Sequence, residues 1–249
     1  MNIPRFRIAK AQSAGSEIKL DAKESHHALG VMRLERGDAV ELFDGEGGVW
    51  SAVVLDTRQG LVTVQRGPER AAADPMAAEV TLAPCLIKSD AMDLMIEKVS
   101  ELGVTRVAPI VSERTVVRLD EGRRAGKLER WKRIAEASAK QCGRARLPEI
   151  LPLATFQDFI ASMAGYDIIL IPTLAVDGEP FGRTLMAAPK ARKVLALVGP
   201  EGDFTAAEVD LARKRGALPV GLGPLVMRSE TASLYVLSCL NFFYGEMRA

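Results

Sequence analysis

Histidine is nearly absent from this chain: His26 and His27 are the only two in 249 residues, and both lie near the N-terminus. A Ser-His-Asp or Cys-His device needs a histidine beside its nucleophile, so most of the chain lacks the commonest general base. Neither histidine stands with cysteines or carboxylates at ligand spacing, so no metal is expected. Cysteine is scarce as well. Cys85, Cys142 and Cys239 are odd in number, far apart and without a Cys-x-x-Cys pair, which argues for reduced thiols rather than a disulfide framework. Aromatic residues make up 5%, too few for an evident stacking platform for single strands, and Trp131 reads as core. No apolar run reaches the about 20 residues of a membrane span; the most apolar helix, near Ala232–Tyr244, carries serine and asparagine. Met1–Lys10 alternates apolar and basic residues without the apolar centre of a signal peptide. A cytoplasmic location with no membrane partner is therefore expected. The net charge of +1 points to no partner by itself, and there is neither an internal repeat nor a low-complexity tract.

What is present is 48% hydrophobic and 26% charged residues, enough for one large domain or two smaller ones, each with its own core. Residues 1–70 read as β-rich. Arg5–Ile8 and Glu17–Leu20 alternate apolar with polar, Ala39–Phe43, Val49–Asp56 and Leu61–Arg66 are strand-like, and glycine turns separate them. Ser25–Leu34 reads as a short helix, and the whole as a small antiparallel barrel with ten charges of each sign. Residues 71–78, proline-containing and small, read as a linker. From 79 to 249 the pattern is α/β. Strand Val80–Ile87, helix Ala91–Leu102 closed by Gly103, and strand Val104–Val111 form a βαβ unit, hence a parallel sheet. Helices Ala125–Gly143 and Phe156–Met163, strands Asp167–Pro172, Val194–Val198 and Leu218–Leu222, a helix at Ala206–Arg215 and a final helix complete it. Thr205-Ala206-Ala207-Glu208 reads as a capping box.

Two of those strands end in glycine-containing loops, Gly199-Pro200-Glu201-Gly202 and Gly223-Pro224, the latter running into Met227-Arg228-Ser229-Glu230-Thr231. Loops at the carboxyl ends of parallel strands are where open α/β sheets bind ligands. The first loop lacks the lysine of a phosphate loop, and Gly221-Leu222-Gly223 lacks the third glycine of the dinucleotide fingerprint. A ligand without phosphates, cationic in part, fits beside Glu201; the plainer alternative is that these glycines only serve tight turns. Arg228 and Glu230 stand either at a pocket mouth or as a surface pair of little energetic weight. Between Arg114 and Arg146 there are eleven Lys or Arg against four Asp or Glu. Arg133, Lys140, Gln141 and Arg144 fall along one helical stripe, which is either a phosphate-binding face or a solvated one.

The set Val198–Gly202, Leu222-Gly223-Pro224 and Met227–Ala232 resembles the signature of the RsmE-type 16S ribosomal RNA (uracil-N3)-methyltransferases. Lys88, Glu97-Lys98, Glu101–Val104, Ser112-Glu113-Arg114, Ala139–Arg144 and His26–Leu34 with Gly37-Asp38 and Asp44-Gly45 extend the resemblance over nearly the whole chain. This chain has Asp203 where the family usually has a second glycine, and Val226-Met227-Arg228 where it usually has Ile-Leu-Arg.

The resemblance implies a SPOUT-type α/β parallel sheet with a deep trefoil knot, preceded by a small PUA-like β-barrel. It implies S-adenosylmethionine as cofactor, held by backbone groups of Leu170, Ile171, Pro172 and Thr173, of Val198, Gly199, Pro200, Glu201 and Gly202, and of Leu222, Gly223, Val226 and Met227. It implies methylation of N3 of a uridine in 16S rRNA, free or within the small ribosomal subunit, by a homodimer. On that reading Arg228 stabilises the uracil anion, Glu230 orients Arg228 or relays the proton, and Arg114, Arg133, Lys140, Gln141 and Arg144 contact RNA. The alternatives are a SPOUT ribose 2′-O-methyltransferase, a methyltransferase of another RNA position, and a non-catalytic RNA-binding assembly factor.

Overall fold

The computed structural model describes residues 3–72 and 76–248. Two compact units emerge: residues 1–74 with Ala139–Leu147, and Pro75–Ser138 with Pro148–Ala249. The linker expected at 71–78 falls partly on residues 73–75, outside the described residues.

In the N-terminal unit, β1 (Arg5–Arg7), β2 (Glu17–Lys19), β3 (Ala39–Phe43), β4 (Val49–Asp56) and β5 (Thr63–Glu69) form one curled sheet of order β1-β3-β4-β5-β2. All its pairings are antiparallel except β1 with β3, which run parallel, a departure from the all-antiparallel expectation. Alternation along the strands turns Ile18, Val40, Leu42, Ala52, Val54 and Val64 inward onto one core. Register shifts between β4 and β5, near Trp50–Ala52 and Val54–Asp56, increase the local twist and let the sheet curl. The helix expected over Ser25–Leu34 is instead α1 (Ala22–His26), capped by the Asp21 carboxylate, followed by one turn of π-helix over His27–Val31. Here His26 packs on Gly30, and His27 lies edge-on to Phe6.

The inclusion of Ala139–Leu147 was not legible from hydrophobic pattern, because polar contacts produce it. The Arg5 guanidinium, over the Phe43 ring and paired with Glu41, donates to the carbonyls of Ala139 and Arg144. Leu147 N–H donates to Gly45, and Ala145 packs with Phe43 and Val49.

The C-terminal unit is built on a seven-stranded, wholly parallel sheet of order β12-β14-β11-β13-β6-β7-β9. Its strands are β6 (Glu79–Pro84), β7 (Arg106–Val107), β9 (Glu149–Ile150), β11 (Ile168–Pro172), β12 (Glu179–Pro180), β13 (Lys193–Val198) and β14 (Ala217–Gly221); β8 (Ile110–Val111) and β10 (Ala154–Thr155) pair separately. The single strand expected over Val104–Val111 is split into β7 and β8. Pro109 lies in the gap and has no N–H for a ladder.

The helices are α2 (Ser89–Glu101), α3 (Glu121–Cys142), α4 (Phe156–Ser162), α5 (Phe181–Ala187), α6 (Ala206–Arg213) and α7 (Ser229–Tyr244). Central strands are apolar on both faces because both faces are covered. Leu170, Val194, Ala196 and Val198 face one core with α2, α5 and α7, whereas Ile169, Ile171, Leu195 and Leu197 face a second with α4 and α6. Met92, Met95, Ile96 and Val99 of α2 recur at helical spacing and are all buried, each removal from water contributing about 1.5–3 kcal/mol. The α2 carbonyl end is satisfied from α7, where the Asn241 side-chain amide donates to the Leu102 carbonyl. Trp131 is core, as expected.

Candidate active site

Strand order places the site. β11 has β13 on one side and β14 on the other, all parallel and in register at their carboxyl ends, where Pro172 lies opposite Val220. The chain thus diverges around β11, the switch point at which open α/β sheets form a crevice. An open cavity of about 600 Å³, including solvent at its mouth, lies there between the three strand-end loops.

Of the residues expected to hold a cofactor, Pro172 and Thr173 line it from the first loop and Val198, Gly199, Pro200 and Glu201 from the second. Leu222, Gly223, Val226 and Met227 line it from the third. Three do not line it. Leu170 and Ile171 are fully buried in β11, each facing one of the two cores. Gly202 lies on the outer side of its loop, against the Arg114 side chain. Leu174, Leu225, Asp203, Ser229 and Ala232 also line the cavity; Leu225 lies between the expected Gly223 and Val226, Asp203, Ser229 and Ala232 stand in or beside the motifs that carry the resemblance, and Leu174 was not anticipated. The N-terminal position of Ser229 on α7, beside Arg228, was the available signal for that residue.

Side-chain ties to backbone hold the loops. Buried Ser229 donates its hydroxyl to the Gly199 carbonyl at 2.7 Å. Arg114 donates to the Gly202 carbonyl at 2.9 Å. The capping box of α6 is present: Thr205 accepts from Glu208 N–H at 3.2 Å, and Glu208 accepts from Thr205 N–H at 2.9 Å. The second Glu208 oxygen accepts from Glu113 N–H, so one buried carboxylate joins the Ser112–Thr115 turn to the second loop. Glycine at 199 avoids a tight contact, because a Cβ there would press on Asp203 and Phe204 at 3.1–3.2 Å. Gly223 has φ +111 with nothing facing a Cβ, which leaves its backbone open to close approach by a ligand.

The lip is apolar and exposed: Leu174 at 67%, Leu225 at 75% and Val226 at 79%. Arg228 is the exposed N-cap of α7 and Glu230 a half-buried residue of its first turn. Among the described residues the Arg228 guanidinium has neither an ion pair nor a hydrogen bond. Of the expected RNA contacts, Arg133 is exposed on α3 in the C-terminal unit, and Lys140, Gln141 and Arg144 belong to the N-terminal unit. The Lys140 ammonium is paired with the buried carboxylate of Glu24, and the Arg144 carbonyl accepts from Arg5. Gln141 is exposed. Burial raises the Cys85 thiol to about 12. Among the described residues no group of three or more His, Cys, Asp or Glu could hold a metal ion.

Comparison with known proteins matches this architecture. The family model described as an RNA methyltransferase domain matches residues 74–241, and that of an RNA methyltransferase PUA domain matches residues 20–65. The ribosomal RNA small subunit methyltransferase E of Synechocystis sp. is 31% identical over 95% of this chain and 77% of its own length. The chain belongs to the ribosomal RNA small subunit methyltransferase E family. The Bacillus subtilis member is 30% identical over 90% of this chain and 89% of its own length. The crystal structure of the Neisseria gonorrhoeae member, bound to S-adenosyl methionine, superposes with a TM-score of 0.89 at 29% identity, covering 99% of this chain and all of that one. The parallel α/β sheet and the small N-terminal PUA unit expected from the sequence are thus the family's own arrangement.

Proposed function

We propose that this chain methylates N3 of a uridine in 16S ribosomal RNA, with S-adenosylmethionine in the cavity at the ends of β11, β13 and β14. The observation that carries the reading is that three strand-end loops meet around one apolar, lysine-free crevice with an unpaired arginine at its edge, in a chain whose Neisseria relative binds S-adenosyl methionine. The cavity fits such a ligand: its walls are mainly apolar, the backbone at Gly223 is open to approach, and Glu201 sets a negative charge near a cationic group. Pro172, Thr173, Gly199, Leu222 and Met227 would hold it. When bound, the cofactor supplies a methyl group already activated on a sulfonium.

The chain's own task is alignment and charge. Uracil N3 must lose a proton, and with no histidine in the C-terminal unit the anion needs electrostatic help. Arg228, unpaired at the start of α7, stabilises charge developing on the uracil ring. Glu230 lies in the first turn of the same helix and takes part in removing the proton. Arg114, beside the second loop, and Arg133 meet the RNA from the C-terminal unit; Gln141 and Arg144, with Lys140, do so from the N-terminal unit. The protein acts in the cytoplasm as a homodimer through its C-terminal units, threaded as the trefoil knot of the SPOUT class. The exposed Tyr235 and Phe242 of α7 and the apolar lip support the dimer, and β14 beside β11 supports the threading. Among the described residues no helix is long and apolar enough to cross a membrane.

Arg228→Ala tests the reading. It should lower the methylation rate by about 10²–10³-fold, the cost of removing one donor to a developing anion, while calorimetric affinity for S-adenosylmethionine is unchanged. Near-normal turnover would remove Arg228 from the chemistry.

A further inference from the structure

Asp203 has a backbone that suits glycine and a side chain that does something glycine cannot. Its φ of +59 lies in the left-handed region, which residues bearing a Cβ rarely adopt and which Asp and Asn tolerate best. The conformation closes a turn, with Asp203 N–H donating to the Pro200 carbonyl at 2.9 Å. The carboxylate then crosses to a different loop. Oδ2 accepts from Leu174 N–H at 2.6 Å and from the Thr173 hydroxyl at 2.9 Å, while Oδ1 accepts from Phe204 N–H at 2.7 Å. Thr173 Oγ1 in turn accepts from Ala175 N–H at 3.0 Å. One carboxylate therefore gathers the start of the loop after β11 onto the loop after β13, across 29 residues of sequence.

We infer that Asp203 is a positioning residue, a latch that fixes the gap between two walls of the cofactor cavity and so sets the affinity of this chain for S-adenosylmethionine. Thr173, Leu174, Gly199 and Asp203 all border that cavity, so the latch is part of its wall. Leu174 is otherwise an exposed lip residue, and its N–H is satisfied by Asp203. Hydrogen bonds to a charged acceptor are the stronger kind and impose direction as well as proximity. A glycine at 203 relieves the backbone but leaves Leu174 N–H and the Thr173 hydroxyl without this acceptor. The first loop is then free to drift from the second. The inference rests on the reading of the cavity as the S-adenosylmethionine site.

The test uses the full-length chain and titrates S-adenosylmethionine calorimetrically into the wild type and into Asp203→Gly, Asp203→Asn, Thr173→Val and the Asp203→Gly/Thr173→Val double variant, with thermal melts of each. Asp203→Gly adopts this φ freely but loses the three hydrogen bonds of the carboxylate, so the two effects oppose each other in the melt, and it should bind S-adenosylmethionine about tenfold more weakly, in the range of a lost charge-assisted hydrogen bond. In turnover it should raise KM for the cofactor with little change in kcat. Asp203→Asn, which keeps an acceptor oxygen and tolerates the left-handed backbone, should recover part of the affinity. Thr173→Val should weaken binding in the same direction and add nothing on top of Asp203→Gly. Wild-type affinity in Asp203→Gly, or strictly additive losses in the double variant, overturns the latch. A wild type that does not bind S-adenosylmethionine overturns the cavity assignment instead.

Discussion

Removing one hydroxyl, in Ser229→Ala, should loosen the cavity from below. Ser229 Oγ is buried and donates to the Gly199 carbonyl at 2.7 Å, joining the first turn of α7 to the glycine at which the second loop leaves β13. Gly199 is itself buried, so the variant removes the side-chain partner of a carbonyl on a shielded residue. A buried group stranded in this way costs about 1–3 kcal/mol. For a domain of this size each kcal/mol lowers Tm by about 2–4 °C, so the expected fall is about 2–12 °C. Urea unfolding should show the same loss as a lower midpoint with unchanged slope, since no new surface is exposed on unfolding. Ser238→Ala is the internal control: Ser238 is exposed on the same helix, and the change should stay within about 0.5 kcal/mol. Ser229→Ala should also weaken S-adenosylmethionine binding, because Gly199 is cavity wall. If Ser229→Ala behaves like Ser238→Ala in both stability and binding, the hydroxyl does not hold the loop and the description of the cradle as side-chain-tied is wrong.

Other outcomes follow from the same contacts. Lys140→Ala should destabilise the N-terminal unit by about 3–5 kcal/mol, because it strands the Glu24 carboxylate, 3% exposed; Arg133→Ala should leave stability unchanged while weakening RNA binding and reducing its salt dependence. Equal stability of the two variants by chemical denaturation would contradict the structural role of Lys140. Cys85, with its thiol raised to about 12 by burial, should resist iodoacetamide at pH 8 in the folded protein, whereas exposed Cys142 should label; peptide mass spectrometry reading equal modification would refute the burial.

Hydrophobic period carried most of the architecture. The doubly covered strands β11 and β13, the amphipathic α2 and the capping box of α6 are all local patterns, and each appears near its expected bounds. Short elements were not legible: β9, β10 and β12 are two residues long, too brief for a period, and α5 carries little pattern. Pro109 could have flagged the split between β7 and β8. Assignment of Ala139–Leu147 to the N-terminal unit depends on contacts far apart in sequence from Arg5, Gly45 and Phe43, which no local window contains. Within the site, glycine and proline marked the loops, but the depth of each residue did not follow from them. Leu170 and Ile171 are core because β11 is covered on both faces, and Gly202 turns outward to Arg114. Asp203, conspicuous as a departure from the family's usual glycine, proves to combine that glycine's backbone with a side-chain contact between loops.

The central claim is the atom that receives the methyl group. Small ribosomal subunits from a strain lacking the endogenous enzyme, incubated with the purified chain and isotopically labelled S-adenosylmethionine, can be digested to nucleosides and resolved by mass spectrometry. N3-methyluridine carrying the label is the expected product, and it should vanish with Arg228→Ala. Label in a 2′-O-methyl nucleoside, in another base, or in none would contradict the account.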